Sequence, residues 1–149
     1  MHMRGTPETM QSMTEYDDVV VDVGEALHRC SEAASEAGIH RWVQIVDPGI
    51  GFAKTQRQNL FLLKKIPDLR ILTSNLPILI GTSRKGFIGR ITGVEKAEDR
   101  DYGTIASFIA ALSAGEQLSA SATADIVRVH NVKAAKHATM VIDAIKNSE

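Results

Sequence analysis

Short apolar runs alternate along this chain with longer segments of helical periodicity, and this alternation restricts the fold more than any other feature. Strand-like runs are predicted at residues 42–46, 77–80 and 125–130. Each intervening helix returns the chain to the same edge of the sheet, so the repeated order of strand and helix implies parallel strands. The sequence therefore predicts an α/β fold, uninterrupted by a linker or domain boundary over residues 1–149.

The helical segments are recognised by apolar residues three or four positions apart. Pro67 is expected to end the second helix, and residues 116–123, which are small and polar, are expected to form a loop. The predicted helices span residues 17–37, 56–65, 104–114 and 132–146.

Composition excludes several classes of function. The formal net charge of -1 argues against a nucleic-acid-binding protein, which usually carries a basic excess. No apolar run is long enough to span a membrane. Cys30 is the sole cysteine, so no intramolecular disulfide can form. The histidines and the cysteine lack the spacing of a zinc site, and no metal ligand is predicted.

Polar residues follow each of the apolar runs directly. In a parallel α/β fold, the carboxyl ends of the strands lie at one edge, where ligands bind. Residues from four separate segments therefore point to one site. These residues are His2 and Arg4, then Asp47, then Ser83, Arg84 and Lys85, and finally Arg128 and His130.

Asp47 lies in the segment VDPGIGF. A carboxylate at the end of a buried strand can accept paired hydrogen bonds from a planar donor such as an amino-substituted heterocycle. Asp-Pro-Gly is also a common turn sequence, which leaves a purely structural role open. Gly51 permits close approach of a ligand and Phe52 can form the wall of a flat pocket, and both favour the binding role.

Two adjacent cations, Arg84 and Lys85, follow the strand predicted at residues 77–80. Flanking glycines would let this loop move, Lys85 can donate to ring acceptors, and Ser83 can bind a second substrate. A solvated basic loop is the alternative. The segment therefore predicts either a site for an anionic or electron-rich ligand or an exposed surface loop.

Arg128 and His130 alternate with valines, so both side chains lie on one face of their strand. In a barrel this face is the interior, where an unpaired charge is costly. A phosphate or diphosphate would be a suitable partner, because arginine binds its oxygens in a bidentate manner. A structural salt bridge to an acidic neighbour is the alternative.

Four motifs, MHMRGTP, VDPGIGF, IGTSRKGFIGR and ADIVRVHNV, together resemble those of the dihydropteroate synthase family in the same order. That family joins a pterin-methyl diphosphate to p-aminobenzoate and releases diphosphate during folate synthesis. The resemblance implies an eight-stranded (β/α) barrel with its site at the carboxyl ends of the strands. This chain would supply the C-terminal four β/α units, an incomplete half-barrel.

The resemblance implies that Asp47 and Lys85 hold the pterin, with Met1 and Phe52 lining its pocket. Lys85 is also expected to be catalytic. Small-molecule substrates, the pterin diphosphate and p-aminobenzoate, are the expected partners, with no nucleic acid and no membrane.

The other motif residues would act at the diphosphate and at p-aminobenzoate. Arg128 and His130 are expected to bind the leaving diphosphate as catalytic residues, aided by Mg2+. Ser83 and the loop of Arg84 would meet p-aminobenzoate and the pterin, beside Gly81. Neutralising the charge of the leaving group is the main electrostatic contribution.

Two departures from the family pattern are visible. Asn131 stands where many members carry an aspartate. The amino-terminal half, which carries the main protein ligand of Mg2+, has no counterpart, so the isolated chain is expected to be inactive. The full-length protein is expected to be a homodimer in the cytoplasm, or in mitochondria if a targeting segment has been lost.

Two other functions remain open. A pterin-binding methyltransferase of the methyltetrahydrofolate–corrinoid type shares the barrel and related pterin contacts. A non-catalytic half-barrel that pairs with another subunit is the second possibility.

Overall fold

The computed structural model describes residues 1–114 and 123–148, in which two short parallel strands pair side by side. Strand β1 (Leu79–Ile80) pairs with strand β2 (Ile126–Val127). Leu79 is the partner of Ile126, and Ile80 is the partner of Val127. Parallel pairing confirms the predicted relationship of these two strands.

Two further segments extend the pairing beyond β1. Val46 forms an isolated parallel bridge with Ile78. The amide of His2 donates a hydrogen bond of 2.8 Å to the carbonyl of Asp47. Four segments thus lie next to one another in the order in which they occur along the chain. Regular strand is nevertheless limited to β1 and β2 in the described part of the chain, so the half-barrel stays a prediction.

The strand predicted at residues 42–46 is wrong except at its last residue. Arg41–Val43 forms a short 3-10 helix, and Trp42 is 83% exposed. The amide group of Gln44 donates to the carbonyl of Ile39 at 2.9 Å, and its oxygen accepts from Ser31 at 2.5 Å. These contacts hold the segment against the end of the preceding helix, and the chain enters the sheet only at residue 46.

The other two strands are shorter than predicted. Residues 77, 78, 125 and 128–130 lie outside regular strand. Backbone bonds do extend the pairing past β2, because Arg128 donates to the carbonyl of Ile80 at 2.9 Å. His130 lies beyond the last of these bonds, in a turn before the final helix.

Helix α1 (Val19–Glu36) confirms the first predicted helix. The carboxylate of Asp18 accepts from the amide of Val20 at 2.8 Å and thereby caps it. Its buried face includes Val23 and Leu27, which recur at helical spacing.

The second helix ends before Pro67, as predicted, but Pro67 itself lies in the first turn of a further helix that was not predicted. Helix α2 (Gln56–Lys64) ends before it, and helix α3 (Ile66–Leu72) contains it in the first turn. Proline is tolerated there because the first amides of a helix have no intrahelical acceptor.

The remaining helices place the site loops. Helix α4 (Gly86–Thr92) follows directly on Lys85 and was not predicted. Helix α5 (Asp101–Ser113) starts three residues before its predicted start, and helix α6 (Val132–Lys146) has its predicted bounds.

The core lies between the paired segments and the helices. Its fully buried members include Val23, Leu62, Ile66, Ile78 and Ile80. No helix in residues 1–114 and 123–148 is sufficiently long and apolar to cross a bilayer. The loop predicted at residues 116–123 falls, apart from Thr123, outside the described residues.

Candidate functional site

A cavity of about 370 Å³ lies at the carboxyl ends of β1 and β2. It brings together residues from three segments that are far apart in sequence, as expected where parallel strands end. Its lining consists of Phe52, Gly81, Ser83, Lys85, Arg128, Val129 and His130. Six of these seven were predicted as site residues.

The loop of Asp47 is both a turn and a wall of the site. The Asp47 carboxylate accepts from the amide of Gly49 at 2.7 Å, which is the turn role. Gly49 has φ +69°, and a Cβ there would lie 1.9 Å from the carbonyl oxygen of His2. Phe52, in the same loop, lines the cavity. The turn role of this motif is therefore compatible with the predicted role in ligand binding.

Lys54 is an important residue that the sequence interpretation missed. It is 3% exposed, and its ammonium contacts the carbonyls of Gly49 at 3.2 Å and Phe52 at 2.9 Å. Nδ1 of His2 lies 3.0 Å away. Burial lowers the pKa of Lys54 to about 7, and the nearby Asp47 opposes this shift. No local pattern distinguishes this lysine from a solvated one.

Lys85 lies against the loop of Asp47. Its ammonium donates to the carbonyl of Ile50 and lies 4.6 Å from the centre of the Phe52 ring, a cation–π distance. Burial lowers the pKa of Lys85 to about 8; the negative charge of Asp47 raises it, and the positive charge of Arg128 lowers it. The site thus holds a lysine whose pKa is lowered by burial but which is still mostly protonated at neutral pH.

Ser83 joins the loops that follow the two strands. Its hydroxyl lies 2.8 Å from Nδ1 of His130 and accepts from the His130 amide at 3.1 Å. The pair brings together a hydroxyl and an imidazole from positions 47 residues apart. Both side chains face the cavity and can bond an oxygen-rich ligand.

Arg128 and His130 are exposed, which corrects the expectation that they lie in an interior. In the described residues β2 has β1 as its only strand neighbour, so no closed barrel surrounds these side chains. Over the same residues Arg128 forms no ion pair, so the alternative of a structural salt bridge finds no support there. Its guanidinium lies over Gly81, 3.0 Å from where a Cβ would stand.

The Arg84 side chain is directed to α5 instead of the cavity. Its guanidinium forms two bonds with Asp101, of 2.8 and 3.0 Å. Its amide donates to the hydroxyl of Thr104 at 2.9 Å. A contact of Arg84 with substrate remains a prediction.

Met1 is not brought to the same cavity. It is 58% exposed and lines a separate space of about 320 Å³ together with Arg4 and Asp22. Arg4 pairs with Asp22 at 3.3 Å and lies 3.8 Å from the centre of the Tyr16 ring. The amino-terminal polar residues therefore have structural partners of their own.

The described residues contain no group of three or more histidine, cysteine, aspartate or glutamate side chains placed to hold a metal ion. Within residues 1–114 and 123–148, the side chains therefore do not assemble a protein site for Mg2+.

Residues 1–130 match the profile of the family described as pterin binding enzyme. The chain belongs to this family. It is 40% identical over 145 residues to a dihydropteroate synthase of Synechocystis sp., covering 97% of this chain and 47% of that protein. It is 44% identical over 154 residues to a mitochondrial folate synthesis bifunctional protein of Pisum sativum, covering 97% of this chain and 28% of that protein.

Solved structures of dihydropteroate synthases superimpose closely on this chain. The dihydropteroate synthase of Xanthomonas albilineans in complex with 7,8-dihydropteroate superimposes with a TM-score of 0.82 at 36% identity, covering 100% of this chain and 51% of that one. The synthase of that organism with 4-aminobenzoic acid gives a TM-score of 0.84. The chain spans about half the length of Synechocystis and Xanthomonas relatives.

Proposed function

We propose that this chain forms part of the active site of a dihydropteroate synthase. The reaction would condense 6-hydroxymethyl-7,8-dihydropterin diphosphate with p-aminobenzoate to give 7,8-dihydropteroate and diphosphate. The observation that carries the proposal is the convergence of Lys85, Arg128 and the Ser83–His130 pair on one cavity. The family and the solved complexes of relatives support the same chemistry.

The cavity offers separate groups for the two ends of the pterin diphosphate. Arg128 has no ion pair in the described residues, and its guanidinium can take two oxygens of a diphosphate. His130 and Ser83 lie beside it and can donate further bonds. Lys85, next to Phe52, is suited to the ring acceptors of the pterin.

In the proposed reaction, the bond between the pterin methylene carbon and the diphosphate oxygen breaks, and the oxygen keeps the electron pair. The amine nitrogen of p-aminobenzoate then bonds to that carbon and loses a proton. Arg128 and His130 would stabilise the charge that develops on the departing diphosphate. No covalent bond to the protein forms.

The chain would contribute four units of a (β/α)8 barrel. Mg2+ would bind together with the diphosphate. The full-length protein would form a homodimer. It would be located in the cytoplasm, although the pea relative is named as mitochondrial. The 149-residue chain is expected to bind ligand but not turn it over, because it spans about half the length of the Synechocystis relative.

Calorimetric titration of the whole chain with the pterin diphosphate and, separately, with methyltetrahydrofolate tests the proposal. We expect binding of the first ligand alone, and weaker binding in the Arg128→Met variant. Arg29→Met is the matched control, because Arg29 is an exposed arginine of α1 with only a surface ion pair.

Binding of methyltetrahydrofolate in place of the diphosphate would favour the methyltransferase. Binding of neither ligand would favour a non-catalytic half-barrel. Robust formation of dihydropteroate by the chain alone would contradict the expectation that it is inactive.

A further inference from the structure

Arg84 has a backbone conformation that residues other than glycine rarely adopt. Its φ is +58°, in the left-handed region. Such a conformation persists where the surroundings hold the residue from several sides. Here the amide donates to Thr104 at 2.9 Å, the carbonyl accepts from Arg100 at 3.1 Å, and the guanidinium bonds twice to Asp101. The start of α5 therefore binds Arg84 at every polar group.

The same carboxylate also holds the loop that follows β2. Nδ2 of Asn131 donates to Oδ2 of Asp101 at 3.0 Å. The other amide atom, Oδ1, accepts from Ala134 at 3.0 Å and caps α6. Asp101 thus connects the loop after β1, which carries Arg84, to the loop after β2, which carries Asn131. The Ser83–His130 contact joins the same two loops.

We propose that Arg84, Asp101 and Asn131 form a clamp that positions the site without touching substrate. The clamp would set Ser83 and Lys85, the two neighbours of Arg84 in the chain, relative to His130. Arg84 and Asp101 are then positioning residues, and Arg84 is not a contact of p-aminobenzoate or the pterin. This inference rests on the proposed function only where it concerns ligand binding.

Charge distinguishes the amide at position 131 from an aspartate at the same position. Asn131 can donate to the Asp101 carboxylate, whereas an aspartate there would place a second negative charge about 3 Å away. Bonds from Arg84 and then Asn131 hold the pKa of the Asp101 carboxyl below its usual range, so the clamp is ionised at neutral pH. A serine could keep the cap of α6 without adding charge.

A double-mutant cycle separates positioning from direct contact. The variants are Arg84→Gln, Asp101→Asn and the double substitution in the whole chain, each titrated separately with inorganic diphosphate, the pterin diphosphate and p-aminobenzoate. If the pair acts as a clamp, each single variant weakens binding about tenfold and the double variant is no weaker than either. If Arg84 contacts the ligand, Arg84→Gln weakens binding further in the Asp101→Asn background, and the clamp is overturned.

Hydrogen exchange of the Lys85 and His130 amides tests the clamp without any ligand. Both amides are bonded within these loops, to Thr82 and to Ser83. Faster exchange at both amides in either single variant, with amides of α1 unchanged, supports the clamp. Unchanged exchange overturns it. A wild-type chain that binds no diphosphate would count against the proposed function alone.

Asn131 offers a second series, useful if the cycle variants fold poorly. Both Asn131→Ser and Asn131→Asp can cap α6, but only the second adds a charge beside Asp101. We expect diphosphate affinity to fall in the order wild type, Asn131→Ser, Asn131→Asp, with thermal stability retained. Equal affinities, or a loss of affinity that only follows a loss of thermal stability, would overturn the positioning role.

Discussion

Nζ of Lys54 lies 3.0 Å from Nδ1 of His2, so two basic side chains meet in a buried space beside the loop of Asp47. Carbonyls of Gly49 and Phe52 take the other two bonds of the ammonium. All three donors of a protonated lysine are thus satisfied. Burial nevertheless lowers the pKa of Lys54 to about 7 and that of His2 to about 4.

These shifts predict how stability depends on pH. Between about pH 7 and its ordinary pKa of 10.5, Lys54 is protonated in the unfolded chain and largely neutral in the folded one. The unfolded state then binds more protons, so the free energy of unfolding should rise with pH. His2 has the same sign between about pH 4 and 6.5, so stability should fall as pH drops through that window.

Denaturant unfolding of the Lys54→Met variant across the upper window checks this prediction. The rise should become smaller, leaving the part due to Lys85, whose pKa is also lowered, to about 8. Lys64→Met, at an exposed position of α2, should keep the wild-type slope. An unchanged slope in Lys54→Met would show that Lys54 does not titrate in this range.

The pKa of Lys85, about 8, predicts a pH dependence of ligand binding. Its ammonium is a charged donor below that pH and a neutral amine above it, so pterin diphosphate affinity should fall as pH rises through about 8. Titrations from neutral pH to well above 8 measure this fall. Lys85→Arg, which stays charged, should give a flat profile. A fall that persists in Lys85→Arg would assign the titration to another group.

Gly81→Ala should displace the Arg128 guanidinium, because the new Cβ would lie 3.0 Å from it. Diphosphate affinity should fall several-fold, while the free energy of unfolding changes by less than about 1 kcal/mol, since the guanidinium can move. Gly38→Ala is the converse control. Gly38 has φ +90° and open space around it, so this change should cost about 1 kcal/mol of stability with no effect on affinity. Calorimetry measures the diphosphate affinity of both variants, and thermal unfolding measures their stability. A Gly81→Ala variant with wild-type affinity would contradict the prediction.

Asp125→Ala should destabilise the opposite end of the strands. The carboxylate accepts from the amide of Ile78 at 2.7 Å and from the guanidinium of Arg70, which is 9% exposed. Its loss would leave a buried cation and a backbone amide without these bonds. We expect a loss of about 2 kcal/mol, since Asp125 is itself partly exposed.

Glu25→Ala removes an exposed ion pair with Arg29 and should cost less than about 0.5 kcal/mol. Equal losses in the Asp125→Ala and Glu25→Ala variants, measured by denaturant unfolding, would contradict a special role for the Arg70–Asp125 pair.

Helix periodicity and the motifs could be interpreted correctly from the sequence because both are local. α1 and α6 lie close to where they were predicted, since their apolar spacing and caps involve neighbouring residues. Phe52, Ser83, Lys85, Arg128 and His130 share one cavity because parallel strands bring their carboxyl ends together.

Non-local contacts account for the errors. The apolar run at residues 42–46 is mostly not a strand, because Gln44 is bound to residues near the end of α1. The sequence also did not reveal that the Arg84 guanidinium is bound by Asp101, 17 residues away; its contact with substrate remains a prediction. Lys54 was overlooked because one of its three partners, His2, is 52 residues distant.

The sequence by itself determined the parallel α/β pattern, most helices and the residue types gathered at the strand ends, since periodicity and motif order act over short distances. Tertiary structure alone decided which cations are available to a ligand. Arg84 and Lys54 are bound by side-chain and backbone groups of other segments, whereas Arg128 has no ion pair in the described residues. The physical reason is that burial and pairing depend on neighbours that only folding brings together.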